Sequence, residues 1–273
     1  MQTTIRRPVR FSHLGLLTNR VAGVRLGPGP PDSGIVFNGT IPARLAHAFI
    51  ERHLVGLRKG RETVLGVEHL LAACYGLGID NLQVEVNGGE IPFGDGSALP
   101  FVRILQAAGR RHDRAARLVQ SLRRPVIVRQ GGSFICALPL RSGATARARL
   151  NVNCFIHFPE KVVGAQFFGG CISANSFRRE LASARTFGLR ESRLRLPVWL
   201  KPVCRIKDGI VVPVRPRFAD EQVRHKTLDL LGDLALLGCR LQAQIFAYKT
   251  GHRLHHEFLR RVGAGSHLEG LWM

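Results

Sequence analysis

The run Val223-Arg224-His225-Lys226-Thr227-Leu228-Asp229-Leu230-Leu231-Gly232-Asp233 limits the folds open to this chain more than any other stretch. At helical spacing His225, Asp229 and Asp233 follow one another a turn apart on one face, because residues i and i+4 stand one above the other. Leu228, Leu230, Leu231, Leu234, Leu236 and Leu237 crowd the remaining directions. A helix this apolar is mostly buried, and isolated charges inside a protein are costly. The fold must therefore bury this helix and bring partners to its polar face. A metal ion is one such partner. Gly66-Val67-Glu68-His69-Leu70-Leu71 offers another imidazole beside a carboxylate. Two His and one Asp form the N/O donor set with which zinc hydrolases leave a fourth position for water; the same set suits Fe(II). Singly, each piece has a plain reading: His-x-x-x-Asp is common on helix surfaces, and a His in an apolar helix is more often a satisfied core residue.

At 273 residues and 45% hydrophobic the chain can bury a sizeable core, as one large domain or two of ordinary size. Residues 5–27 and 34–38 read as strands, 43–54 as a short helix or ordered connection, 64–76 as a helix, 81–86 as a strand and 98–108 as a helix. Residues 110–117 read as a linker. Beyond it, 125–129, 134–138 and 145–158 alternate like strands, 175–184 and 219–237 read as helices, and 241–248 as a strand. The class is α+β, with a first domain over 1–116 and a second over 117–273. Both halves run strands then helices, which suggests a duplicated unit.

The six cysteines show no Cys-x-x-Cys spacing, so neither a zinc knuckle nor a disulfide framework is indicated, and a reducing cytoplasm is expected. No apolar run reaches the roughly 20 residues of a membrane span, and the arginines near Met1 are not followed by the apolar core of a signal peptide. A net charge of +21 raises nucleic acid as a partner. The dispersed arginines, the 7% aromatic content and the absence of a binding motif weigh against it. Transient contact with an anionic membrane surface would use the same charge.

In order along the chain stand Val67-Glu68-His69-Leu70, Gly76-Leu77-Gly78-Ile79-Asp80-Asn81, Glu90-Ile91-Pro92 with Asp95-Gly96-Ser97-Ala98, Arg185-Thr186-Phe187-Gly188, Val223-Arg224-His225-Lys226 and Ala247-Tyr248-Lys249-Thr250-Gly251-His252. From about residue 5 to about residue 262 this series resembles the UDP-3-O-acyl-N-acetylglucosamine deacetylases of lipid A biosynthesis. The ordered set is far more specific than any one motif.

The resemblance implies a two-layer sandwich of two related β-α-α-β units, with helices packed between sheets and one catalytic Zn²⁺ per chain at their junction. Carried over by position, His69, His225 and Asp229 are the metal ligands and Glu68 the general base. Thr186 is the donor to the oxyanion, His252 the cation that assists the leaving amine, and Asp233 the carboxylate that orients His252. Lys226, Lys249 and Phe187 match substrate-binding positions. The implied reaction removes the N-acetyl group from the UDP-linked acylated sugar, in the cytoplasm of a Gram-negative bacterium, with a peripheral position at its inner membrane as a further expectation.

The chemistry asks for these residue types on its own account. An amide resists hydrolysis because its carbonyl is a poor electrophile and its nitrogen a poor leaving group. A Lewis acid with a nearby base answers the first problem, and an imidazole kept protonated by a carboxylate answers the second. Gly66 stands where the family usually has Thr or Ser, and Gln222 where Phe is typical. In the segment 194–215 Arg195-Leu196-Pro197-Val198-Trp199-Leu200-Lys201 replaces the family's Gly-Gly-Ser stretch, in the region that helps form its acyl-chain passage. Two other readings follow: a related zinc amidase for a different N-acyl substrate, and a basic binding protein with a vestigial metal site. Glu68, Thr186 and His252 weigh against the second, since a structural site needs ligands but no base, oxyanion donor or acid.

Overall fold

The computed structural model describes residues 1–140, 149–189 and 198–264. Its main helices are α1 (Glu68–Leu77), α2 (Leu99–Ala107), the short α3 (Ala174–Ser176), α4 (Glu221–Leu234) and α5 (His252–Ala264). Two larger sheets are built to one plan. In the first, the spatial order is Val9–Leu14, Val21–Pro28, Leu82–Asn87, Ile35–Phe37, Ile41–Pro42. In the second it is Val126–Gln130, Ser133–Leu138, Arg240–Tyr248, Leu150–His157, Ala165–Cys171. In each, the strand latest in sequence takes the centre, antiparallel to one neighbour and parallel to the other. The similar order of elements in the two halves is thus a repeated topology.

The helices lie between these sheets. α4 packs against α1 on one side and against strands Leu150–His157 and Ala165–Cys171 on the other. α2 covers strand Val9–Leu14, and α5 covers Val126–Gln130 and Ser133–Leu138. Leu70 and Leu71 of α1 and Leu228, Leu230, Leu231 and Leu234 of α4 are fully buried. A helix walled on two sides needs apolar residues around most of its circumference, as the leucine content of 223–238 indicates.

Several local expectations change. Residues 43–54 are not helical: a single 3₁₀ turn at Leu45–His47 leads into strand Ala48–Glu51, which pairs antiparallel with Leu54–Lys59. The apolar run Ala48-Phe49-Ile50 meets a partner strand a short turn away, and that contact outweighs local helical preference. Arg110–His112, placed in a linker, pairs with Thr3–Ile5, and Arg117 binds the Asp80 carboxylate through Nη2 at 2.7 Å. Strand Ala165–Cys171 was not anticipated, because its Gly169-Gly170-Cys171 end lacks β-forming residues. Within 145–158, residues 145–148 lie outside the described set, and the strand runs from Leu150 to His157.

Candidate metal centre

Strand Glu62–Leu65 ends at Gly66, whose φ of +73° turns the chain through the left-handed region just before α1 begins. Glu68 and His69 therefore enter the first turn of α1 facing α4, which carries His225, Asp229 and Asp233. His69 Nε2 lies 3.7 Å and His225 Nε2 3.3 Å from Asp229 Oδ1. The two imidazoles stand edge to face, centroids 5.0 Å apart. His225 Nδ1 donates to the Ala184 carbonyl oxygen at 3.1 Å, which leaves Nε2 as its lone-pair atom. Burial pushes the His225 imidazole down to about 4, so it is neutral near pH 7. Burial acts against ionisation of Asp229 too, but His225, Lys226 and His69 hold its carboxyl well below the ordinary value.

These residues fit a metal. A tetrahedral ion with bonds of about 2.0–2.1 Å to N and O separates neighbouring ligand atoms by roughly 3.3 Å. The observed 3.3 and 3.7 Å lie at and just beyond that spacing. The neutral His225 imidazole, the ionised Asp229 carboxylate and the backbone acceptor fixing one ring suit such a centre. Asp233, His252 and His255 also converge, with one ligand atom from each lying within 4.8 Å of the others. Their geometry is different. His252 Nδ1 and His255 Nδ1 both reach Asp233 Oδ2, at 2.7 and 2.6 Å, so this group is a hydrogen-bonded network around one carboxylate.

Within that network the imidazoles differ. Burial works against the His252 cation, but Asp233, Asp229 and Glu68 outweigh it and push its pKa up to about 9. His255 is held below its ordinary value by burial, and its Nε2 accepts the Thr250 hydroxyl at 2.8 Å. Asp233 resists its own burial because His252, His255 and His256 hold its carboxyl well below the ordinary range. Its Oδ1 lies 3.4 Å from His256 Nε2, and neither atom has a hydrogen-bond partner among the described residues. Glu68 is buried, accepts the Val55 N–H at 3.0 Å through Oε2, and is raised in pKa by that burial.

The family model described as UDP-3-O-acyl N-acetylglycosamine deacetylase matches residues 2–264. The chain belongs to that family. Among curated relatives, a UDP-3-O-acyl-N-acetylglucosamine deacetylase of Syntrophotalea carbinolica is 34% identical over 97% of this chain and 88% of its own length. Those of Nitratidesulfovibrio vulgaris and Chlamydia pneumoniae are 37% and 33% identical, each over 96% of this chain, covering 87% and 96% of their own lengths.

The remaining positions of this deacetylase fall around the centre in different ways. Lys226 Nζ donates to Asp229 Oδ2 at 3.2 Å and lies 6.0 Å from the centre of the Phe187 ring, which itself stands edge-on to His225. The Thr186 amide donates to the Gly96 carbonyl at 2.8 Å, while its hydroxyl makes a long 3.5 Å contact with the Phe187 carbonyl. Lys249 is exposed, with Nζ 5.4 Å from the centre of the Tyr248 ring, and among the described residues it makes no hydrogen bond or ion pair with the His69, His225 and Asp229 group. In the altered segment, residues 194–197 lie outside the described set. Beyond them Val198–Leu200 forms a 3₁₀ turn whose Trp199 donates to Asn19 Oδ1 at 2.7 Å, and strands Cys204–Lys207 and Ile210–Pro213 follow.

Sequence reasoning missed two parts of the site. His255 and His256 are absent from the sequence-derived site, although His252, His255 and His256 have the i, i+3, i+4 spacing of one helical face. The buried pair of Arg185 and Glu221 also went unseen. Arg185 Nε and its own amide both donate to Glu221 Oε1 at 2.9 Å, which ties the 184–187 segment to the start of α4. No local pattern announces a pair separated by 36 residues.

Proposed function

We propose that this deacetylase is a zinc amidase that hydrolyses the N-acetyl group of UDP-3-O-acyl-N-acetylglucosamine, releasing acetate and the free amine in the cytoplasmic steps of lipid A synthesis. The observation that carries the reading is the approach of His69 Nε2 and His225 Nε2 to one oxygen of Asp229, at 3.7 and 3.3 Å, beside a buried Glu68. His69, His225 and Asp229 would hold the ion, at the seam between the units 1–116 and 117–273. Zinc bound there would supply Lewis acidity toward the amide carbonyl and lower the pKa of a water.

Glu68 takes the proton from the attacking water and passes it to the departing nitrogen. Its raised pKa brings it nearer neutrality, where a general base is most effective. His252 remains a cation up to about pH 9 and stabilises the negative charge that develops as the tetrahedral carbon forms. Asp233 accepts the Nδ1–H of the His252 cation, which orients the ring and leaves the Nε2–H for the substrate. The Thr186 hydroxyl, weakly held in this structure, turns to donate to the same oxyanion. Lys226 and Lys249 supply positive charge for the diphosphate, and Phe187 walls the pocket beside His225.

The test is metal content together with acetate release from UDP-3-O-acyl-N-acetylglucosamine, with and without a chelator. About one zinc per chain with chelator-sensitive release supports the reading. Bound zinc with no acetate release would keep the metal centre and overturn the substrate.

A further inference from the structure

The two sheets share one strand plan, so their outer faces can be compared strand for strand. In the first, outward residues of neighbouring strands line up as Arg10, Arg25 and Glu85, with Arg25 and Glu85 ion-paired at 2.6 Å. That is the polar outer face expected of a sheet packed on one side only. In the second, the outer face of strands two to five carries a row of Phe134, Tyr248, Phe155 and Phe167, each the register partner of the next. Phe134, Phe155 and Phe167 are 38%, 43% and 49% exposed, and Ile127 and Leu138 on the same face are 45% and 37% exposed. The fold does not require this row, since its twin does without one. An exposed apolar patch of this kind marks an interaction surface.

The charge around the row selects the partner. None of the strands Val126–Gln130, Ser133–Leu138, Leu150–His157, Ala165–Cys171 and Arg240–Tyr248 contains an Asp or Glu. Arg129 pairs with Phe134 at one end of the row, and the whole chain carries +21. We propose that this face docks on an anionic phospholipid bilayer, with the aromatic row at the headgroup boundary and the cations among the phosphates.

The rings themselves argue against single-stranded nucleic acid. A stacking platform needs open ring faces, whereas Phe134 and Tyr248 stack at 5.7 Å and Phe155 and Phe167 lean together at 4.4 Å. Aliphatic Ile127 and Leu138 would add nothing to base stacking and much to insertion among acyl chains. Strand Arg240–Tyr248 runs directly on to His252, so docking here would hold the mouth of the candidate centre near the membrane surface.

The experiment is cosedimentation of the full-length holoenzyme with vesicles of phosphatidylcholine alone or mixed with phosphatidylglycerol. Wild type is expected to partition onto the mixed vesicles, and the Phe134→Ser, Phe167→Ser double variant to lose about tenfold or more of that partition. Acetate release from dispersed substrate and the melting temperature should stay near wild type. As a second readout, Phe167→Trp fluorescence should be quenched by brominated acyl chains. Failure of wild type to partition, or equal partition of both proteins, would overturn the assignment. So would concentration-dependent self-association or RNA binding that the double variant abolishes.

Discussion

A β-carbon placed on Gly232 would stand 2.3 Å from the carbonyl oxygen of Glu68, so α4 and α1 touch backbone to backbone where the candidate site is assembled. That contact sets how far His225 and Asp229 lie from Glu68 and His69. Gly232→Ala forces the helices apart, because the obstructing atom is backbone and cannot rotate away. Overpacking of this kind costs about 1–3 kcal/mol. We expect a lower melting temperature with weaker metal retention, both read on the same preparation by calorimetry and elemental analysis.

Glu68 and Asp229 should separate under mutation. Glu68→Gln removes the proton acceptor and keeps its shape, so metal content should hold while kcat falls by about 10²–10⁴. Asp229→Ala removes a ligand and should lose metal as well as activity. Equal metal loss in both variants would reject Glu68 as the base.

The pH profile of kcat/KM should be bell-shaped, rising as Glu68 loses its proton and falling as His252 loses its own near pH 9. Asp233→Asn removes the charge that holds the His252 proton and should move the alkaline limb down toward 6.5. The same pair enters stability. His252 has a folded pKa of about 9, above its ordinary 6.5, so the native state binds the proton more tightly than the unfolded chain. Its contribution is fully present below pH 6.5 and is lost as pH rises through about 9. Thermal unfolding followed across that window should show the decline in wild type and less of it in Asp233→Asn.

Arg185 and Glu221 form a buried ion pair, and removing one partner leaves the other charge uncompensated. Arg185→Ala should destabilise the fold by about 3–5 kcal/mol. It should also free the 184–187 segment, so that kcat falls beyond what unfolding accounts for. Denaturant titration beside single-turnover kinetics separates the two effects. A variant of near wild-type stability would refute the structural role of the pair.

Residues read from the chain alone reached far into the site because α1 and α4 are continuous helices: spacing along one helix is geometry, and His225, Asp229 and Asp233 share a face whatever surrounds them. The ordered motifs likewise identified the family, and the alternation of strands and helices disclosed the duplication. Tertiary structure decided what contact across the chain decides. Ala48–Glu51 became a strand because Leu54–Lys59 pairs with it, and Arg185 found Glu221 36 positions further along the chain. Asp233 gathered three imidazoles because α5 lies against α4. Local sequence sets which side chains share a face, whereas burial and the approach of distant elements set their pKa values and partners, and those exist only once the chain has packed.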